Sequence, residues 1–172
     1  MKNVFAILLV LAGMLVVATP AKADLTVISS DDCQKQWEYT VDTGYQQFQS
    51  KALGNSGFID IRLQKRMDYP FLFGIEFGGS LVSGGALADI MFPLSVRAGL
   101  YRSWKVDFIL APGAAYAYSQ ALSRSQFTPE GSLGIQIKNF IKQGMSLGIY
   151  AAYVVTGISD FDSTRFGISL GF

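Results

Sequence analysis

Histidine is absent from the 172 residues, and cysteine occurs once, at Cys33. The first absence removes His-dependent acid-base chemistry, His-paired nucleophiles and imidazole metal sites together. The second excludes an internal disulfide and leaves Cys33 as a free thiol or an intermolecular link in an oxidising compartment. Charge is scarce too: 16% of residues are Asp, Glu, Lys or Arg, against about 25% in soluble domains. With 14 basic and 13 acidic residues, no basic field points to nucleic acid and no acidic tract to a charged partner. What fills the space instead is apolar: half of the residues are hydrophobic, and 18 are glycine.

A long hydrophobic run is also lacking. Residues 4–17 are apolar but short for a membrane-crossing helix. Lys2 before that run and Ala21-Lys22-Ala23 after it predict a secretory signal peptide over residues 1–23, cleaved before Asp24. Residues 24–36 are then expected to form a polar leader, in which either Leu25, Val27 and Ile28 dock on a protein partner or the segment is disordered. Cys33 lies too far downstream to be a lipidated first residue.

From residue 37 the chain alternates. Trp37, Tyr39, Val41, Thr43 and Tyr45 share one face, with Glu38, Thr40, Asp42, Gly44 and Gln46 opposite. The same period recurs around Ile59 to Leu63, Phe71 to Phe77, Ile90 to Leu100, Val106 to Tyr118, Leu133 to Ile137, Met145 to Val155 and Thr164 to Phe172. Polar or Gly-containing stretches separate these runs, and residues 49–56, 80–88, 119–126 and 157–163 are expected as short surface loops. Pro93 and Pro112 each remove a ladder donor and predict a bulge or bend in their strands. Eight strands of about ten residues each match what crosses a bilayer when tilted. An even number closes into an up-and-down barrel with no exposed edges and with both termini on one side.

Alternation alone does not say which face is inside, because a soluble lipocalin-like ligand-binding barrel has the same period. The second face decides it. Gly, Ala and Ser dominate that face, with single charges at Glu38, Asp42, Asp60, Arg62, Glu76, Arg97, Asp107, Glu130, Lys138 and Arg165. Turned toward lipid, each basic side chain would cost about 2–4 kcal/mol at the midplane. They are therefore expected to point inward as an ion-pair network: Arg62 with Glu76 or Asp42, Arg97 with Asp107, Lys138 with Glu38, and Arg165 with Glu130 or Asp42. On the other face Trp37, Tyr39, Phe71, Tyr101, Trp104, Tyr116 and Tyr118 stand near strand ends, where interfacial aromatic girdles belong.

The last strand carries the most specific pattern. Arg165, Gly167, Leu170 and Phe172 supply a polar residue, a glycine and two hydrophobic positions ending on an aromatic. With that assembly signal, residues 37–172 resemble the small eight-stranded outer-membrane barrels of Gram-negative bacteria, the kind of the OmpA transmembrane domain and OmpX. The resemblance implies an outer-membrane location with periplasmic termini, insertion by the barrel-assembly machinery, and contact with outer-membrane lipid and lipopolysaccharide. It also implies a monomer without cofactor or metal. Envelope integrity is the expected role, with a narrow gated porin-like pore or a surface-interaction protein as alternatives. An enzyme is not expected: Glu130 and Asp107 have no nucleophile at readable spacing.

Overall fold

A computed structural model describes residues 37–67, 70–82, 84–101, 103–142 and 145–172, the side chains of Tyr101 and Lys142 excepted. The signal segment 1–23, the leader 24–36 and Cys33 lie outside the described residues.

Period-two patterning becomes period-two burial. In Asn55–Arg66 every second residue from Ser56 to Gln64 is buried while Ile59 and Ile61 are exposed. The segments are β1 (Trp37–Phe48), β2 (Asn55–Arg66), β3 (Phe71–Val82), β4 (Gly85–Met91), β5 (Leu94–Tyr101), β6 (Trp104–Ser119), β7 (Arg124–Lys142), β8 (Met145–Thr156) and β9 (Ser163–Gly171). A single 3-10 turn, Ser159–Phe161, precedes β9. All neighbours pair antiparallel, and β9 pairs back onto β1, so the sheet closes.

Nine segments make eight walls, because β4 and β5 are one strand interrupted at Phe92-Pro93; both pair with β3 on one side and with β6 on the other. Of the bulge or bend expected at each proline, the bulge is not there, although the strand is interrupted at Phe92-Pro93. From Met91 to Leu94 the chain advances three residues, as do its partners from Glu76 to Phe73 and from Gly113 to Leu110, so the register is unbroken. The ladder crosses the gap through Gly74 N–H to Pro93 O (3.0 Å) and Phe92 N–H to Pro112 O (2.8 Å). Each proline thus contributes its carbonyl where it has no N–H to give.

Two expected loops are likewise shorter. β3 runs to Val82 and β4 begins at Gly85, so most of residues 80–88 is strand. β6 and β7, at 16 and 19 residues, leave a turn of only 120–123 between them. Here the ladder outlasts the polar composition that suggested a loop.

Following cross-strand partners around the barrel leads from Trp37 through Lys65, Phe73, Leu94, Leu110, Leu133, Tyr153 and Thr164 to Gln47. The circuit returns ten residues along β1 from its start. At about 3.3 Å per residue and 4.8 Å between strands this stagger inclines the strands by about 40°. A 12-residue strand such as β1 then rises about 30 Å, a bilayer's hydrocarbon thickness. The stagger is even, so inward residues stay inward when the ring closes.

Space inside is short, and glycine makes it. Gly44 and Gly167 are direct partners across the closing seam, with Phe58 and Tyr150 next to them in the same row. The rings of Phe58 and Tyr150 meet over these glycines, their centroids 6.1 Å apart. A Cβ on Gly44 would lie 2.2 Å from Phe166 O, and one on Gly167 2.1 Å from Thr43 O. Neither backbone can yield without opening the seam. Gly167→Val should therefore lower unfolding free energy by about 3 kcal/mol, the upper end of overpacking costs. Urea titration of detergent-folded protein measures this, and a wild-type midpoint would refute the seam's tight fit.

Candidate functional site

Among the described residues the barrel's interior holds four buried cations, Arg62, Arg97, Lys138 and Arg165, and seven carboxylates, Glu38, Asp42, Asp60, Glu76, Asp89, Asp107 and Glu130. Each comes from an inward position of the alternation, and they fall into three groups.

Nearest the end where β1 begins, Glu38, Arg97, Asp107 and Lys138 form a closed quartet. Arg97 Nε donates to Asp107 Oδ1 at 2.7 Å and Arg97 Nη2 to Glu38 Oε2 at 2.8 Å. Lys138 Nζ lies 2.7 Å from Glu38 Oε1 and 2.9 Å from Asp107 Oδ2. Each anion touches both cations. The Phe140 ring lies 5.5 Å from the Arg97 guanidinium and 6.0 Å from the Lys138 ammonium, favourable cation–π positions.

Further in, Arg62 is held by Glu76 through Nε at 2.5 Å and by Asp42 through Nη2 at 2.8 Å. Its Nη1 donates to Gln136 Oε1 at 3.3 Å, and Gln136 Nε2 in turn donates to Asp42 Oδ1 and to Ser169 Oγ. The Tyr150 ring covers the guanidinium at 5.4 Å. In the third group Arg165 Nη1 donates to both oxygens of Asp60 at 3.1 Å and Nη2 to Asp89 Oδ2 at 2.7 Å. Glu130 stands 4.0 Å from Arg165.

Of the two partners expected for Arg165, Glu130 is present at 4.0 Å and Asp42 is not, while its close partners are Asp60 and Asp89. Asp42, one of its two expected partners, is taken up by Arg62. Glu130, the other, is no closer than the edge of ion-pair range. The strand register explains this: Asp60 and Asp42 are themselves cross-strand partners, and Arg62, two residues along β2, reaches back to Asp42. Asp89 was missed because it adjoins residues expected to be loop. Its signal was present, since it continues the inward set of Met91 and Ser95 by period two. Gln136 and Tyr150 fall on the inward face by period two, but nothing in their identity announces a contact with Arg62.

Beyond Arg165 the lumen is closed by apolar side chains: Phe48, Leu53, Val82, Leu87, Ala115, Ala117, Ile158 and Phe161 pack together, with Phe48 and Phe161 edge to face at 6.3 Å.

On the outer face, Trp37, Tyr39, Phe71 and Trp104 are exposed at the end where β1 begins, and Tyr116 and Tyr118 toward the opposite end. Between them Ile61, Phe73, Phe77, Leu110, Ile149 and Ile168 are each about half exposed. Among the described residues Lys65 is the one charged outward side chain of the walls, and its ammonium sits 5.9 Å over the Trp37 ring at the girdle. In β9, Arg165 points inward, Phe166, Ile168 and Leu170 outward, and Phe172 is exposed, tied to Tyr39 by reciprocal backbone bonds of 2.8 and 3.3 Å. Tyr101 pairs with Trp104 at a register shift, and its side chain lies outside the description.

These features define a closed, eight-stranded, antiparallel β-barrel of transmembrane type. Among solved structures the chain is similar to Neisserial surface protein A (NspA), an eight-stranded outer-membrane barrel, with a TM-score of 0.61 and 10% sequence identity over 80% of this chain and 96% of that one. At that identity the likeness is one of fold. No protein-family model and no curated protein matches the sequence.

Because Arg62 is wholly buried, Arg62→Ala strands Asp42 and Glu76 without a counter-charge and should cost about 3–5 kcal/mol in equilibrium urea unfolding. Adding Asp42→Asn and Glu76→Gln should recover most of that loss. A triple variant as unstable as the single one would show that packing, not charge pairing, is Arg62's contribution.

Proposed function

We propose that the protein is an integral outer-membrane barrel with a structural, envelope-integrity role, its lumen filled by its own side chains and its termini periplasmic. The observation that carries this is the outer face. A belt of half-exposed Ile, Leu, Phe and Val circles the barrel without an outward charge until Lys65. In water such a belt would far exceed the few hundred Å² of contiguous apolar surface that soluble monomers tolerate. In a bilayer it needs no cover, and the aromatic ends sit where headgroups begin. The lipocalin-like alternative would need a charged exterior and an apolar interior, the reverse of the observed arrangement.

A filled lumen supports the structural role over transport. An eight-stranded barrel has room for little beyond its own side chains, and here three ionic groups and an apolar plug occupy it in series. The catalytic reading gains no support from a sequence without histidine. The short turns, such as 120–123, offer little surface for a displayed binding site.

Membrane fractionation with heat-modifiable gel mobility tests the core of this reading: the protein should fractionate with outer membranes and migrate differently before and after boiling. A soluble protein with unchanged mobility would overturn it. Ile61→Arg, half exposed on the belt, should cost about 2–4 kcal/mol on folding into bilayers. Deleting Phe172 should reduce assembled protein more than synthesis or export, and normal outer-membrane levels would remove its role in the assembly signal.

A narrow pore is the second reading, favoured by the mouth quartet, where Glu38 and Asp107 already contact both cations and can exchange between them. Planar-bilayer recording separates the two. A plugged barrel gives no discrete conductance, in the wild type or in Arg62→Ala.

A further inference from the structure

The connection from β8 to β9, residues 157–162, turns into the end of the barrel instead of away from it. Ile158 and Phe161 are buried in the apolar plug, Phe161 against the Phe48 ring, whereas Gly157 and Ser159 are exposed. One side of this short turn therefore belongs to the plug and the other faces solvent. Its attachment is concentrated at its two ends. Gly157 N–H donates to Pro129 O and Gln49 N–H to Asp162 O, both at 2.8 Å. Asp162 Oδ1 accepts the Thr156 N–H at 2.7 Å, and the Thr156 hydroxyl donates to Ile158 O. Phe161 N–H to Ile158 O (2.9 Å) and Asp162 N–H to Ser159 O (3.2 Å) close the turn on itself. Among the described residues no hydrogen bond joins residues 158–161 to β1–β7 or β9, so the burial of Ile158 and Phe161 is what keeps the turn down.

Beneath the turn, polar atoms pull the other way. Glu130 is the cross-strand partner of Thr156, and both of its carboxylate oxygens are buried without a hydrogen bond. Asp89 is the cross-strand partner of Ala115, a member of the plug, and its Oδ1 is likewise without one. Buried carboxylate oxygens that lack donors gain free energy by meeting water. Two apolar side chains thus hold this end shut while the groups next to its hinge gain from its opening.

We infer that residues 157–162 are a lid, hinged at Gly157 and Asp162, that opens as a unit while the eight walls stay paired. Opening uncovers Ile158, Phe161 and the apolar wall at Ala115 and Ala117, and it admits water to Glu130 and Asp89. It does not make a pore, because the Arg62 group and the mouth quartet still fill the lumen below. The bond from Thr156 N–H to Asp162 Oδ1 ties the two hinges together and sets how often the lid lifts.

The test is thiol labelling of the full chain refolded into detergent, with Cys33→Ser as background and Ala117→Cys as a reporter on the buried wall under the lid. A small cationic methanethiosulfonate should label this thiol far more slowly than it labels the urea-unfolded chain. The rate should nevertheless stay level through urea concentrations below the unfolding midpoint, because lifting a short segment exposes little surface. Asp162→Ala should raise the rate about tenfold, the shift expected from one lost hydrogen bond, while the heat-modifiable folded band is kept. Asp162→Asn retains the acceptor oxygen and should label at the rate of the unaltered lid. A rate that climbs steeply with urea and tracks loss of the folded band overturns the lid, since this end then opens only with the barrel. So does an Asp162→Ala rate equal to that of the unaltered lid. If Ala117→Cys does not fold, Ala115→Cys on the same strand reports in its place.

Discussion

A guanidinium inside a barrel surrounded by hydrocarbon has only carboxylates to replace the water it left, and each carboxylate brought in to meet it must itself be met. The Arg62 group shows how far this propagates: Arg62 requires Asp42 and Glu76, Asp42 accepts from Gln136, and Gln136 reaches Ser169 on a fifth strand. One buried charge thus ties together β1, β2, β3, β7 and β9. Against an apolar filling the network gains little, because the desolvation of its ions offsets their attraction. What it adds is register, because shifting any of these strands by one residue would turn its polar member to the lipid.

That register requirement explains the glycines. A lumen with long Arg, Lys, Glu and Gln side chains has no volume for a full set of neighbours, so the long residues lie across positions with no side chain: Lys138 beside Gly148, Asp60 and Asp89 beside Gly78, Phe58 and Tyr150 over Gly44 and Gly167. Large and empty positions alternate across strands much as polar and apolar ones alternate along them. The high glycine content is therefore the complement of the buried charges. It is not a sign of loops, and the glycines at the closing seam hold the first and last strands at the approach on which closure depends.

How much of this was legible depended on the range of the interaction involved. Face assignment is local, and runs such as Ile59, Ile61 and Leu63 against Asp60, Arg62 and Gln64 sort correctly from spacing alone. Pairs between adjacent strands, Arg62 with Glu76 and Arg97 with Asp107, could be read by counting residues from a turn. The pairing of Lys138 with Glu38 spans the lumen and followed from their similar distance from strand ends. Arg165 followed that reasoning only as far as Glu130, at 4.0 Å. Its close partners depend on the ten-residue stagger accumulated around the ring, which no single hairpin reveals, and on Asp89, which adjoins residues 80–88 whose composition suggested loop. The prolines misled for a related reason: a missing N–H disrupts a ladder only if the partner carbonyl has no other use, and here Pro93 and Pro112 still accept from Gly74 and Phe92.

The lumen's asymmetry follows from the same physics. At the mouth where β1 begins, Glu38 keeps partial contact with solvent, and the quartet there is balanced ion for ion. Toward the other end the side chains are fully enclosed by the Phe48–Phe161 plug, yet the carboxylates outnumber the cations. Burial of charge is the costlier arrangement, and there Arg165 is the cation that Asp60, Asp89 and Glu130 share. The apolar outer face suits a lipid surround, and the ionic groups inside hold the strands in register.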